Sequence, residues 1–281
     1  MITRRTVLQA TAAGLGAMAT FGSYAFAIEP LLRLAVTRYR IAPKSWPKGL
    51  SLKIAVLADI HACEPWMSAD RVADIAAAAN ALEPDIVLLL GDYISTHRFV
   101  KKNVPHAAWT EAVATCRAPL GVHAILGNHD WWDDWRAQEQ RRGPVEARRA
   151  LEARGIPVYE NRAVRLVKGG QPFWLAGLGD QLALLDRRSR ARHLVVGVDD
   201  LPGTLAQVTD DAPVVLMAHE PDVFPRVPER VALTLSGHTH GGQVRLLGYS
   251  PVVPSRYRNR YAYGHVVEDG RHLVVSGGLG C

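Results

Sequence analysis

Five apolar runs along the chain end in the same way, on Asp, Asn or His. The run 53–58 leads into Asp59-Ile60-His61, and 86–90 leads into Gly91-Asp92. The run 122–126 leads into Gly127-Asn128-His129-Asp130, 214–218 into His219, and 231–235 into Ser236-Gly237-His238-Thr239-His240. Short, nearly continuous apolar runs with polar breaks read as strands buried on both faces. Helical stretches separate the first three. Ser68 is placed to N-cap a helix over 69–82 that Pro84 stops, and Pro105 starts another that runs to 116. Crossovers of this length favour a parallel sheet, where ligands bind beyond the carboxyl ends of the strands. Asp59, His61, Asp92, Asn128 and His129 are therefore expected at one edge of one sheet, with the Gly127 motif on a tight loop.

The rest of the pattern is less regular. Residues 34–41 alternate apolar and polar like an edge strand, closed by Pro43, Pro47 and Gly49. Trp131, Trp132 and Trp135 crowd the exit of the Gly127 motif. They read mainly as packing under a loop, with an apolar lip for a substrate as the alternative. Pro144 opens a basic helix to 154, whose Arg148, Arg149 and Arg154 read as a solvated face. Short strands are expected at 163–167, 173–176, 263–267 and 273–276, and a helical piece at 205–208. The stretch 193–197 fits neither type.

Composition adds boundaries. The chain has 281 residues, 48% hydrophobic and 21% charged, which suits one domain with a sizeable core over 51–281 and a lead-in over 28–50. Residues 1–27 read as an export signal. Arg4 and Arg5 precede an uncharged Ala/Gly-rich run ending in Ala25-Phe26-Ala27, and the paired arginines resemble a twin-arginine leader. The expected partner is the twin-arginine export machinery, and the expected location is the periplasm or another extracytoplasmic space. If residues 1–27 are retained, they tether the chain to the inner membrane. Of 33 basic and 27 acidic residues, setting aside Arg4 and Arg5 leaves a mild positive excess. That excess fits an anionic substrate or a membrane surface, and no basic arm points to nucleic acid. Cys63, Cys116 and Cys281 are scattered and form no disulfide framework; Cys63, near His61, reads as a buried thiol.

The chemistry lies in the five strand ends. Asp59 and His61 share one side of an extended chain, as do His238 and His240. With Asp92, Asn128 and His219 they make a mixed oxygen and imidazole set without thiolate. That set favours Mn, Fe or Zn over a structural Zn site. Seven ligands exceed what one tetrahedral ion takes and suit two divalent ions sharing a bridging carboxylate. Such a pair clamps an in-line displacement at phosphorus and generates a hydroxide nucleophile near neutral pH.

These motifs, in this order, resemble the signature of the calcineurin-like metallophosphoesterases over about residues 50–280. The longer Gly237-His238-Thr239-His240-Gly241-Gly242-Gln243, together with the leader, is similar to the exported phosphodiesterase branch. The resemblance implies an α/β fold (an α+β sandwich) of two facing mixed β-sheets flanked by helices. It implies Asp59, His61 and His240 on one metal, Asn128, His219 and His238 on the other, and Asp92 between them. His129 would serve the leaving oxygen, with Asp130 orienting it. The expected activity is hydrolysis of a phosphodiester or pyrophosphate bond in a small, nucleotide-linked or lipid-linked substrate such as UDP-2,3-diacylglucosamine. A phosphomonoesterase or protein phosphatase is the alternative enzyme, and a metal-retaining binding protein the alternative class. Similar proteins continue beyond a segment like 277–281, so a chain ending there is expected to leave one sheet edge exposed.

Overall fold

A computed structural model describes residues 3–23, 34–95, 100–186, 195–245 and 247–280. The chain divides into two units at residue 37. The first holds helix α1 (Arg4–Ser23), whose Val7, Leu8, Leu15 and Met18 are exposed. No described helix is long and apolar enough to cross a membrane. The Ala25-Phe26-Ala27 motif lies outside the described residues.

The second unit opens with β1 (Ile54–Leu57) and the short β2 (Cys63–Glu64). Helix α2 (Ala69–Asn80) follows, its first turn capped by the Ser68 hydroxyl, which accepts the Arg71 N–H. Strand β3 (Ile86–Leu89) is buried at every residue, while β4 (Lys102–Asn103) pairs with β2. Helix α3 (His106–Val113) starts directly after Pro105, and β5 (Val122–Ala124) completes a parallel sheet in the order β1-β3-β5. Three short helices come next: α4 (Asn128–Trp132), α5 (Trp135–Gln140) and α6 (Glu146–Glu152).

Gly169 and Gly170, both at positive φ, turn β6 (Arg162–Lys168) into β7 (Gln171–Gly177). Strands β8 (Leu184–Leu185) and β9 (Val195–Val196) pair with each other, and Asp200 caps α7 (Leu201–Leu205). Then come β10 (Val214–Met217), β11 (Val231–Ser236), β12 (Gly264–Glu268) and β13 (Arg271–Val275). These form a six-stranded mixed sheet in the order β12-β13-β11-β10-β7-β6, parallel in the middle and antiparallel at both edges.

Strand alternation gives the large sheet two buried faces. Phe173, Leu175, Val215, Met217, Leu233 and Leu235 cluster with Ile86 and Leu88 of the parallel sheet, so this core lies between the sheets. Trp174, Ala176, Val214 and Leu216 face the other way, onto Leu201, Phe224 and Tyr261. A bulge keeps β11 in step: Val214 pairs with Val231 but Val215 pairs with Leu233, leaving Ala232 as the extra residue. Without it, Leu233 and Leu235 would face the second core with Val231.

The expected two facing sheets flanked by helices are therefore present. Several details differ. The described residues 34–42 form no strand, so their alternation has no ladder to join. Ile54 and Val56 are only partly buried, because β1 is an edge strand. The helical turn foreseen at 205–208 lies earlier, at α7, where Asp200 accepts the Gly203 N–H. Gly127-Asn128-His129-Asp130 opens α4 instead of forming a plain loop. Past β1, the Leu279 and Gly280 N–H groups donate to Ala58 and Asp59 carbonyls, which covers this part of the edge.

Lys168 ties the sheets together, donating from Nζ to Ser51 O at 2.6 Å and to Asp85 Oδ2 at 2.5 Å. Burial raises the Asp85 pKa, but the Lys168 ammonium and Lys53 N–H outweigh it and hold it below the usual carboxylate value. A depressed folded pKa stabilises above the unfolded pKa, and the effect is lost as pH falls through the folded value. Lys168→Ala is expected to cost about 1 kcal/mol in thermal unfolding at pH 7, with the difference from wild type shrinking in acid.

Candidate metal centre

The topology gathers the polar strand ends. Asp59 and His61 follow β1, Asp92 follows β3, and Asn128 follows β5. His219 follows β10, while His238 and His240 follow β11. Because neighbouring strands run parallel, all seven side chains meet at the carboxyl end of the facing sheets.

Five of these residues pay a conformational cost to do so. Asp59, His61, Asp92, His238 and His240 all have φ between 47° and 69°, a left-handed region that costs roughly 1–2 kcal/mol for a non-glycine residue. Hydrogen bonds enforce it: Asp59 N–H to Gly91 O, His61 N–H to Asp92 O, and His238 N–H to Asp59 Oδ1. Two glycines make room. A Cβ on Gly127 would overlap Asp92 Oδ1 and the His219 ring, and one on Gly237 would overlap Asp59 Oδ2.

The hydrogen bonds also assign the imidazole protons. His61 Nδ1 lies 3.0 Å from Ile94 O, His240 Nδ1 3.2 Å from Gly280 O, and His219 Nδ1 2.6 Å from Leu90 O. A carbonyl only accepts, so each Nδ1 carries hydrogen and each Nε2 is the ring atom turned toward the centre. Yet the Nε2 atoms of His61 and His240 face each other at 3.0 Å, with Asp59 Oδ1 3.5 Å from the latter. His219 Nε2 faces Asp92 Oδ2 at 3.1 Å, and His61 Nε2 lies 3.6 Å from the same oxygen. Asp59 Oδ2 and His219 Nε2 are buried without a hydrogen-bond partner among the described residues. Imidazole nitrogens and carboxylate oxygens packed this closely, two of them buried without partners, form a donor set that fits metal ions.

Ligand atoms fall into groups within 4.8 Å: Asp59, His61 and His240; Asp92, His219 and His238; and His61, Asp92 and His129. Asn128 Oδ1 joins the second group, 2.8 Å from His238 Nδ1. Burial draws the His61 pKa down to about 4 and lowers that of His238, which keeps both in the neutral form that binds metal. Burial also favours neutral Asp92, but His219 beside it holds the carboxyl well below its usual range.

His129 stands at the mouth, its side chain 32% exposed, with its ring 4.9 Å from His61. Burial lowers its pKa, but Asp133 and Asp92 outweigh this and raise it. The resemblance assigned Asp130 to orienting His129. Its oxygens accept the backbone N–H groups of Asp92, Tyr93 and Gly127, which fastens the β3 and β5 ends together. Burial and neighbouring Asp92 push its pKa up to about 7. The carboxylate beside the His129 ring is Asp133, 3.7 Å from Nδ1.

Sequence reasoning missed Asp133, although it lies four residues after His129 on one helix face. It also missed the buried pair Asp180 and Glu220 behind His219, where burial and then Glu220 raise the Asp180 pKa. Glu220 directly follows a strand-end histidine, which was the available signal. Trp131 is buried and Trp132 donates to Leu182 O, so both pack; Trp135 is exposed. Arg148 pairs with Glu152, and Arg154 with Glu111. Cys63 and Cys116 are buried outside the ligand groups. A cleft of about 280 Å³ runs from His238 and Glu220 to Gln181, Asp222 and Arg256.

Carboxylate, imidazole and amide donors at the ends of parallel strands define a metal-dependent hydrolase site. The chain matches the calcineurin-like phosphoesterase family over residues 52–242 and belongs to it. It is 29% identical to the uncharacterized metallophosphoesterase YkuE of Bacillus subtilis (strain 168), over 94% of this chain and 85% of that one. It is also 29% identical to the phosphodiesterase YaeI of Escherichia coli (strain K12), over 100% of this chain and 93% of that one. Among solved structures, a dimetal phosphatase from Danio rerio aligns with a TM-score of 0.42 and 13% identity, over 81% of this chain and 88% of that one. The activity class is metal-dependent phosphoric ester hydrolysis.

Proposed function

We propose that the protein hydrolyses a phosphodiester or pyrophosphate bond on a two-metal centre. Asp59, His61 and His240 would hold one ion, Asn128, His219 and His238 the other, and Asp92 would contact both. When bound, two such cations supply a deprotonated water and neutralise charge on the phosphoryl oxygens. The observation that carries this reading is the convergence of histidine Nε2 atoms and carboxylate oxygens on one buried spot.

The chain's own part is to position and to move a proton. Asp92 Oδ1 accepts the His129 N–H at 2.8 Å, which fixes the start of α4 against the centre. Asp133 and Asp92 favour the protonated His129 ring, and that proton goes to the leaving oxygen. His129→Ala is expected to retain both metals and lower kcat by about 10²- to 10⁴-fold; metal analysis beside turnover checks it.

Diester preference is supported by the cleft beside His238, which offers space for a second ester substituent, and by the likeness to a named phosphodiesterase. The substrate class we favour is a lipid-linked or nucleotide-linked phosphoester. Mn-loaded protein is expected to cleave bis-p-nitrophenyl phosphate faster than p-nitrophenyl phosphate; faster monoester cleavage overturns the reading. Arg4 and Arg5 ahead of an uncharged run support export by the twin-arginine route. N-terminal sequencing of secreted protein is expected to begin at Ile28.

A further inference from the structure

The stretch 243–263, directly after the His238 and His240 motif, has an unusual surface. Val244, Leu247, Tyr249 and Val252 are 61%, 108%, 61% and 76% exposed. Single exposed apolar residues are ordinary, but four within nine positions form a patch of the kind that marks an interaction site. The same stretch carries Arg245, Arg256, Arg258 and Arg260 and contains no Asp or Glu.

Its base is firmly held. The Ser250 hydroxyl donates to Gly241 O, Ser250 N–H donates to Asn259 Oδ1, and Asn259 Nδ2 donates back to Ser250 O. The Thr239 hydroxyl donates to Ala262 O. The stretch is thus fastened at Ser250 and Ala262 to the turn that carries two candidate ligands. Arg256 and Arg260 pair with Asp222 and Glu268. Arg245 lies over the Tyr263 ring at 4.9 Å. Among the described residues, neither Arg245 nor Arg258 forms an ion pair, and both are exposed in the same stretch as the apolar patch.

We propose that residues 243–245 and 247–263 are a docking surface for an anionic lipid bilayer, which presents membrane-embedded phosphoesters to the metal centre. The second half of this statement rests on the function proposed above. Guanidinium groups match phosphate oxygens in bidentate fashion, and tyrosine suits the headgroup layer. Val and Leu side chains insert into the acyl boundary beneath them. The geometry agrees, because Ser255 and Arg256 of this stretch wall the cleft that ends at His238. A headgroup in that cleft therefore lies beside the docked surface. An acidic protein partner would engage the arginines but gives no reason for bare valines and leucine at the rim.

The test is co-sedimentation of the full, Mn-loaded chain with vesicles of phosphatidylcholine, with and without phosphatidylglycerol. Binding is expected to require phosphatidylglycerol and to weaken with salt. Leu247→Ser with Val252→Ser, and separately Arg245→Glu with Arg258→Glu, are each expected to lower the partition coefficient about tenfold. Neither pair is expected to change turnover of soluble bis-p-nitrophenyl phosphate. Wild-type binding by both pairs overturns the proposal. So does a loss confined to Arg4→Gln with Arg5→Gln, which would place the contact on α1. Loss of soluble turnover in the loop variants also overturns it, by making the loop part of the soluble site. A wild-type protein that binds vesicles but cleaves no soluble diester contradicts the proposed function instead.

Discussion

Asp92→Asn is expected to abolish measurable hydrolysis and to release metal from the protein. Asp92 Oδ2 lies 3.1 Å from His219 Nε2 and 3.6 Å from His61 Nε2, between the two principal ligand groups. Among the described residues, Asp92 is the carboxylate that occurs in both the second and third groups. An amide in its place loses the charge that balances two cations and turns either an N–H or a neutral oxygen toward His219. Removing one preorganised charge-stabilising group costs on the order of 10²- to 10³-fold in rate, and a lost cation adds to that. Metal content by mass spectrometry and turnover on a diester should fall together. Full metal with wild-type rates would remove Asp92 from the centre.

The second large effect is on stability. Asp130→Ala is expected to unfold the site. Its carboxylate satisfies three backbone N–H groups, those of Asp92, Tyr93 and Gly127, at 2.9 to 3.0 Å in a fully buried setting. Leaving a buried donor unpaired costs roughly 1–3 kcal/mol, so the sum approaches much of a typical domain's stability, about 5–15 kcal/mol. The thermal midpoint should drop sharply, and metal binding should fail with it. His129→Ala should leave the midpoint close to wild type. A destabilisation no greater than that of His129→Ala would show that Asp130 does not clamp the β3 and β5 ends.

The difference between these residues shows what could be read from the chain. The strand ends were legible because short, nearly continuous apolar runs belong in a core, and each leads into an Asp, Asn or His. Parallel order followed from helices between the strands, and so Asp59, Asp92 and Asn128 were expected together. The backbone at these ends was not legible. Asp and His enter the left-handed region more often than most residues, but nothing singled out Asp59, His61, Asp92, His238 or His240 for it; tertiary hydrogen bonds impose it. The contacts of Asp130 were not legible either. The resemblance placed its carboxylate behind His129; the start of α4 turns it to the backbone and brings Asp133 to the ring. Residues 34–41 show the reverse failure. Alternation describes a strand only where a partner edge exists, and none pairs with them among the described residues. The bulge at Ala232 was likewise invisible, since it depends on the register of β10.

The most direct test of the two-metal reading is anomalous diffraction from crystals of the Mn-loaded protein. The expected result is two peaks about 3.5–4 Å apart. Asp92 should lie between them, Asp59, His61 and His240 on one side, and Asn128, His219 and His238 on the other. A single peak, or two peaks that Asp92 does not touch, would contradict it.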